Sequence, residues 1–193
     1  MLLKLSQCLL LALLLAACAP IAKGPKQDPL SQASAVSVAL PEFVTTPGTT
    51  LHWRSDLRWL DDPQGRYKRR AEVLQQGLQK EFERKGYRFL PSSDAATYDV
   101  VAIALLGTLQ EQEKLESVFR LYPSLAKPAK GYGVGTVLVA IAPAGTSDIV
   151  WRGALEVFTY PGHLPVEQRY ERLEWAASKL LASIPTLPAA APQ

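Results

Sequence analysis

The chain is poor in the residue types on which most site chemistry rests. Of its 193 residues only two are cysteine, two histidine and one methionine. The histidines, His52 and His163, stand apart, with no i, i+4 pairing and no clustered acids beside them. That is not the spacing of a zinc site, so no metal is expected. No G-x-S-x-G occurs, and with it goes the familiar nucleophile elbow of a serine hydrolase. Both histidines are read as surface or partly packed. Charge of one sign is not in excess either: 21 Lys and Arg face 18 Asp and Glu, a formal net charge of +3. Nucleic acid demands a strongly basic face, and this balance excludes it as a partner. There is no internal repeat. The greasiest stretch, from Cys8 to Ala17, falls short of the roughly 18–20 apolar residues a membrane span requires.

What is present begins at the N-terminus. "MLLKLSQ" carries one positive charge, Lys4, and is followed by the short apolar run and then small residues. A charged start, a greasy core and a small-residue exit describe a secretory signal peptide over residues 1–17. Leu15-Ala16-Ala17-Cys18 resembles the bacterial lipobox. The resemblance implies cleavage before Cys18 and acylation of its thiol, the nucleophile that accepts the diacylglyceryl group. Two or more acyl chains hold a protein stably where one does not, so Cys18 makes membrane lipid the first partner. Cys8 falls in the removed part and Cys18 is consumed, which leaves no thiol for redox or metal chemistry. Ala19 stands where lipoproteins of the inner membrane often carry Asp. The same resemblance therefore implies the outer membrane, facing the periplasm. Residues 18–33 are polar and proline-bearing, the composition of a tether. Residues 34–187 suit one domain of ordinary size, and 188–193 read as a loose tail.

Within the domain, "AVSVAL" (35–40) alternates as a strand does, and "TTLHW" (49–53) follows a Pro47-Gly48 turn. Asp62-Pro63 offers a helix start. From there Tyr67, Ala71, Leu74, Leu78 and Phe82 share one face, and Gly86 stands where a left-handed residue ends a helix. "YDVVAIALLG" (98–107) and "VGTVLVAIA" (134–142) are nearly continuous apolar runs, as strands buried on both faces are. "SDIVWRGALEVFTY" (147–160) alternates and pairs with the preceding run as a hairpin. Pro165 opens a last helix with Val166, Tyr170, Leu173, Ala177, Leu180 and Ile184 in one stripe, stopped by Pro185. The order predicts an α+β fold: a largely antiparallel sheet of about five strands with two helices packed on one face. Leu78, Leu105 and Val139 are expected in its core.

Trp53, "LQQGLQKEFERKGY" (74–87), "YDVVAIAL" (98–105), "GTVLVAI" (135–141), "VWRG" (150–153) and a closing "LLASIP" (180–185) together resemble the domain of unknown function 4136 family of bacterial lipoproteins. The likeness spans most of the domain and implies fold and location. The family brings no catalytic residues.

Four stretches invite a functional reading. "GYGVG" (131–135) suggests a phosphate loop, but its spacing is wrong and a strand follows, not a helix. "RYKRR" (66–70) places four cations in the first turns of a helix, as an anionic lipid or an acidic partner would want. The plainer reading is a solvated face offset by Asp56, Asp61 and Asp62. The excursion 109–133 joins two core strands, and long loops in compact domains are often functional. Its Phe119 and Tyr122 are candidates to tuck it down. On the last helix Trp175 projects opposite the apolar stripe, with Glu171, Ser178 and Lys179 around it. Tryptophan is enriched at contact surfaces, so Trp175, Glu171 and Lys179 are the expected partner-binding residues. The competing reading is a local cation–π pair of Trp175 with Lys179.

The expectation is then a non-enzymatic, cofactor-free lipoprotein domain that binds an unidentified envelope protein or cell-wall component in envelope assembly or maintenance. Its rivals are a lipid-carrying subunit of an envelope transport system and a hydrolase acting on peptidoglycan or lipid. An apolar cavity discriminates the carrier; convergent acids or a nucleophile in a cleft discriminate the enzyme.

Overall fold

The computed structural model describes residues 28–60, 62–106, 114, 116–125, 131–160, 162 and 164–188. The leader, Cys18, most of the tether, His163 and residues 189–193 lie outside the described residues. The strands are β1 (Ala33–Ala39), β2 (Thr50–Trp53), β3 (Arg58–Trp59), β4 (Arg88–Phe89), β5 (Tyr98–Leu106), β6 (Gly133–Pro143) and β7 (Trp151–Thr159). Two long helices are α1 (Lys68–Arg84) and α2 (Val166–Leu180). A third, short helical stretch lies at 116–119.

The three apolar runs form the antiparallel heart of one sheet. β5 lies against β6 from Tyr98↔Pro143 to Leu106↔Gly135. β6 lies against β7, and β1 closes that edge antiparallel to β7. The other half is different. β2 and β3 follow one another along the far side of β5, both parallel to it, and β4 pairs parallel with β2 at the other edge. The sheet is thus mixed and seven-stranded, in the order β1-β7-β6-β5-β2-β4 with β3 on β5. This corrects the expected antiparallel sheet of about five strands with two helices. The physical reason is α1, which carries the chain over the sheet between β2 and β5. A strand that returns after such a crossover runs parallel.

α1 and α2 pack together on one face. Their Leu74, Leu78, Phe82, Ala177 and Leu180 meet Val100, Val139, Ile141, Trp151 and Leu155 of the sheet in one buried cluster. The helices approach closely at Gly77, where an added Cβ would lie 3.4 Å from the Glu174 Cα. Leu78, Leu105 and Val139 are all buried as expected. Leu105 alternates with Ala104, though, and so belongs to the opposite face. On that face Leu121 covers Leu138 and Ala154, with Val36 and Phe119 alongside. Phe119 does tuck the excursion down; Tyr122 stays 62 % exposed.

Helix ends are secured from outside the helices. Asp62 does not cap α1, which starts at Lys68. Its carboxylate instead accepts the Arg66 and Tyr67 N–H groups at 2.9 and 2.6 Å and shapes the turn before the helix. At the other end Gly86 takes φ +94°. The buried Lys85 ammonium donates to the Ile184 carbonyl at 2.8 Å, and the Leu187 N–H donates to the Lys85 carbonyl at 2.7 Å. The segment after α2 is strapped to the end of α1 in this way.

Candidate functional site

β5 carries a polar constellation at one end and a cavity at the other, about 20 Å away at ~3.3 Å per residue. At the first end Asp99 is buried and fully bonded. Its carboxylate meets His52 Nδ1 at 2.9 Å, accepts the Ser93 hydroxyl at 2.9 and 3.0 Å, and accepts the Gly145 N–H at 2.9 Å. Burial raises the acid's pKa, but the Gly145, His52 and Ser93 bonds outweigh it and hold the carboxyl below its ordinary value. The pairing of histidine with a buried acid looks like two-thirds of a catalytic triad. The hydroxyl, however, points at Asp99 and not at His52, so no serine is activated. This cluster ties β2, β5, the 3-10 turn at Ser93–Ala95 and the β6–β7 connection together.

The second end opens between the sheet and the starts of both helices. There lies a cavity of about 480 Å³. Its floor is low because β6 carries Gly133 and Gly135. A Cβ on Gly135 would sit 2.9 Å from Leu106 Cδ2, and one on Gly133 the same distance from Thr159 Oγ1. These glycines of "GYGVG" therefore lie inside the strand and shape it. The walls are Trp59 and Leu74 on one side and Leu173 and Ala176 on the other. The Trp59 ring leans on Tyr67 at 5.1 Å between centroids, and the Arg70 guanidinium lies 4.9 Å over the Tyr67 ring.

Three guanidinium groups line this space, those of Arg70, Arg169 and Arg172, and no Asp or Glu does among the described residues. Arg172 donates to the Phe158 carbonyl at 2.8 Å and to that of Leu30. Burial lowers its pKa, partly offset by the charge of Asp28. The Nε of Arg169 and the Nε1 of Trp59 are buried without a hydrogen-bond partner.

The expected contact residues fall elsewhere. Glu171 and Lys179 are exposed on α2. Trp175 is half-buried and packs against the main core, which corrects the outward-projecting ring expected from the helical wheel. The Arg172 guanidinium and the Lys179 ammonium stand 5.8 and 6.0 Å from its ring centre. Residues three and four apart on a helix are neighbours, and their long stems roof the indole. In "RYKRR", Arg69 pairs with Glu72 at 3.0 Å and Arg66 with Asp62 at 3.8 Å. Of this run Arg70 reaches the cavity. No group of three or more His, Cys, Asp or Glu able to hold a metal occurs among the described residues.

The lining arginines Arg169 and Arg172 escaped notice in the sequence, yet a signal was there. Neither has an acid three or four residues away on α2, so neither can spend its charge within its own helix.

Among solved structures, the chain is similar to one of the domain of unknown function 4136 family. A solved member of that family, from Bacteroides thetaiotaomicron, is similar to this chain at 10% identity and a TM-score of 0.47, covering 78% of this chain and 94% of the other. The chain is also similar to PelC from Paraburkholderia phytofirmans, described as a dodecamer. That match has 11% identity and a TM-score of 0.49, covering 82% of this chain and all of the other. No protein-family model and no curated protein matches the chain.

Proposed function

We propose that the chain is a non-catalytic envelope lipoprotein, acylated at Cys18 and held at the outer membrane facing the periplasm. Its domain binds a small molecule in the cavity between the helices and the sheet, in the service of envelope assembly or maintenance. The cavity carries this reading. At about 480 Å³ it falls within the ~300–1,000 Å³ of small-molecule sites, and its apolar walls and few convergent polar groups are what such sites share. It favours the carrier among the rivals over a module that merely touches a protein partner. Asp99 and His52 give the hydrolase rival little support, because their bonds are spent on joining strands and the nearby hydroxyl is turned away.

Location and binding are tested separately. Wild-type protein should take up radiolabelled palmitate and sediment with outer membranes, and Cys18→Ser should do neither. Binding predicts that neutral ω-bromoundecanol quenches the fluorescence of Trp59, which lines the cavity. Label on the Cys18→Ser protein would overturn the anchor; a Trp59 left unquenched by the alcohol and by its carboxylate and phosphate counterparts alike would overturn the binding site.

A further inference from the structure

The cavity's two kinds of lining ask for two kinds of ligand surface. The half-buried Trp59, Val157 and Leu173 present hydrocarbon and aromatic area, which is stabilised by covering it with an apolar body. Beside them the guanidinium groups of Arg70, Arg169 and Arg172 bring positive charge with no carboxylate among the described lining residues. Arg172 has the charge of Asp28 near it; a guanidinium held against an apolar wall without such a counter-charge raises the energy of the empty domain. The Nε of Arg169 and Nε1 of Trp59, unpartnered among the described residues, add two buried donors, beside the unpartnered hydroxyl of Thr136, which can donate or accept. A buried donor left unpaired costs stability, and an acceptor brought by a ligand removes that cost.

The helices reinforce the same sign. α2 starts behind Pro165 and α1 behind Tyr67, neither with a side-chain cap. Leu164 and Tyr67, at these two starts, line the cavity. Uncapped first turns present N–H groups and the positive end of the helix dipole. Glu167 in the first turn of α2 and Asp62 before α1 offset part of this charge, but neither lines the cavity. Among the described lining side chains the charged groups are all positive, and the hydroxyls of Tyr67, Thr136, Thr159 and Tyr160 can donate or accept.

Resting on the cavity as a binding site, we propose that its ligand is an amphipathic anion. It is a single acyl chain bearing a carboxylate or phosphate head, the head at Arg169 and Arg172 and the chain against Trp59, Val157 and Leu173. A neutral lipid would leave the guanidinium groups unpaired, and a sugar phosphate would lay polar surface on the apolar walls. Arg172 is already committed to the Phe158 and Leu30 carbonyls, so it holds the rim in place. Arg169 is the side chain with an orphaned donor to give.

The test uses the full chain in phosphatidylcholine nanodiscs, with Trp59 fluorescence as the reporter. The probes are ω-bromoundecanoate, ω-bromoundecyl phosphate and neutral ω-bromoundecanol, whose bromine quenches a tryptophan it touches. Saturable quenching by at least one anion is expected, lost in Trp59→Phe and at least about tenfold tighter than by the alcohol, as charge-assisted bonds are the strong ones. The tighter anion identifies the head as carboxylate or phosphate. Arg169→Gln should weaken the anion about tenfold and leave the alcohol within twofold, and Arg169→Lys should recover part of the loss. Equal quenching by anion and alcohol, or an Arg169→Gln protein that binds the anion as wild type does, overturns the anionic ligand while the cavity stands. Absence of quenching by all three overturns both.

Discussion

The two ends of β5 solve opposite problems. At the Asp99 end a buried carboxylate is met by an imidazole, a hydroxyl and a backbone N–H. At the Arg169 end donors are left without acceptors and the strand beneath them is thinned to glycine. Satisfied networks rigidify a fold, while half-satisfied ones cost stability. Read together, the first end is where the domain is stitched, and the second is where stability is withheld for a ligand to restore.

The comparison breaks most visibly at Asp99. Removing one partner of a buried ionic network typically costs about 3–5 kcal/mol, and Asp99→Ala should lose that much in denaturant unfolding of the wild-type and variant chains. A loss below about 1 kcal/mol would mean that the stitched end is not stitched. Acid should show the same contact. Because the folded carboxyl lies below its ordinary value, its contribution is present above the unfolded pKa of about 3.9. It is lost as the pH falls through the folded value. Wild-type stability should therefore decline below about pH 5, and Asp99→Asn should lack that part of the slope.

At the other end a smaller change is expected from Gly135→Val. Its Cβ would crowd Leu106, and overpacking usually costs about 1–3 kcal/mol. The same substitution should fill the cavity floor and abolish quenching of Trp59. Smallest of all is Arg169→Met. Replacing an orphaned donor by an apolar side chain should leave stability within about 0.5 kcal/mol of wild type, or raise it. A loss of 2 kcal/mol would show that Arg169 is bonded in the folded domain and that the contrast between the two ends is unreal.

Much of one half of the fold was legible in the sequence. β5, β6 and β7 announce themselves as apolar runs, and the stripes through Leu74 to Phe82 and Leu173 to Ile184 mark the helices and their buried faces. The other half was hidden by brevity. β3 and β4 are two residues each, Arg58–Trp59 and Arg88–Phe89, too short for any period to show. Their existence depends on β5 and β2 being beside them. The parallel pairing was readable in principle, since a helix stands between "TTLHW" and "YDVVAIALLG". The cavity was not, because a missing volume is a property of how glycines, a helix start and a strand end meet in space. Trp175 failed for a related reason. A helical wheel gives the direction of a Cβ but not how a large ring lies down beneath Arg172 and Lys179.

The pairing of β1 with β7 has a mechanical consequence. Arg172 grips the Leu30 carbonyl just before β1 begins. β1 then runs in register with β7 for seven residues, from Ala33↔Val157 to Ala39↔Trp151. A load applied at the entry and directed along β1 is borne by that whole ladder in shear, all its bonds at once. The same load applied across the strand would open them one by one, as a zipper. The first bond to feel either load belongs to Arg172, a wall of the cavity, so tension on the entering chain and occupancy of the cavity act on one side chain.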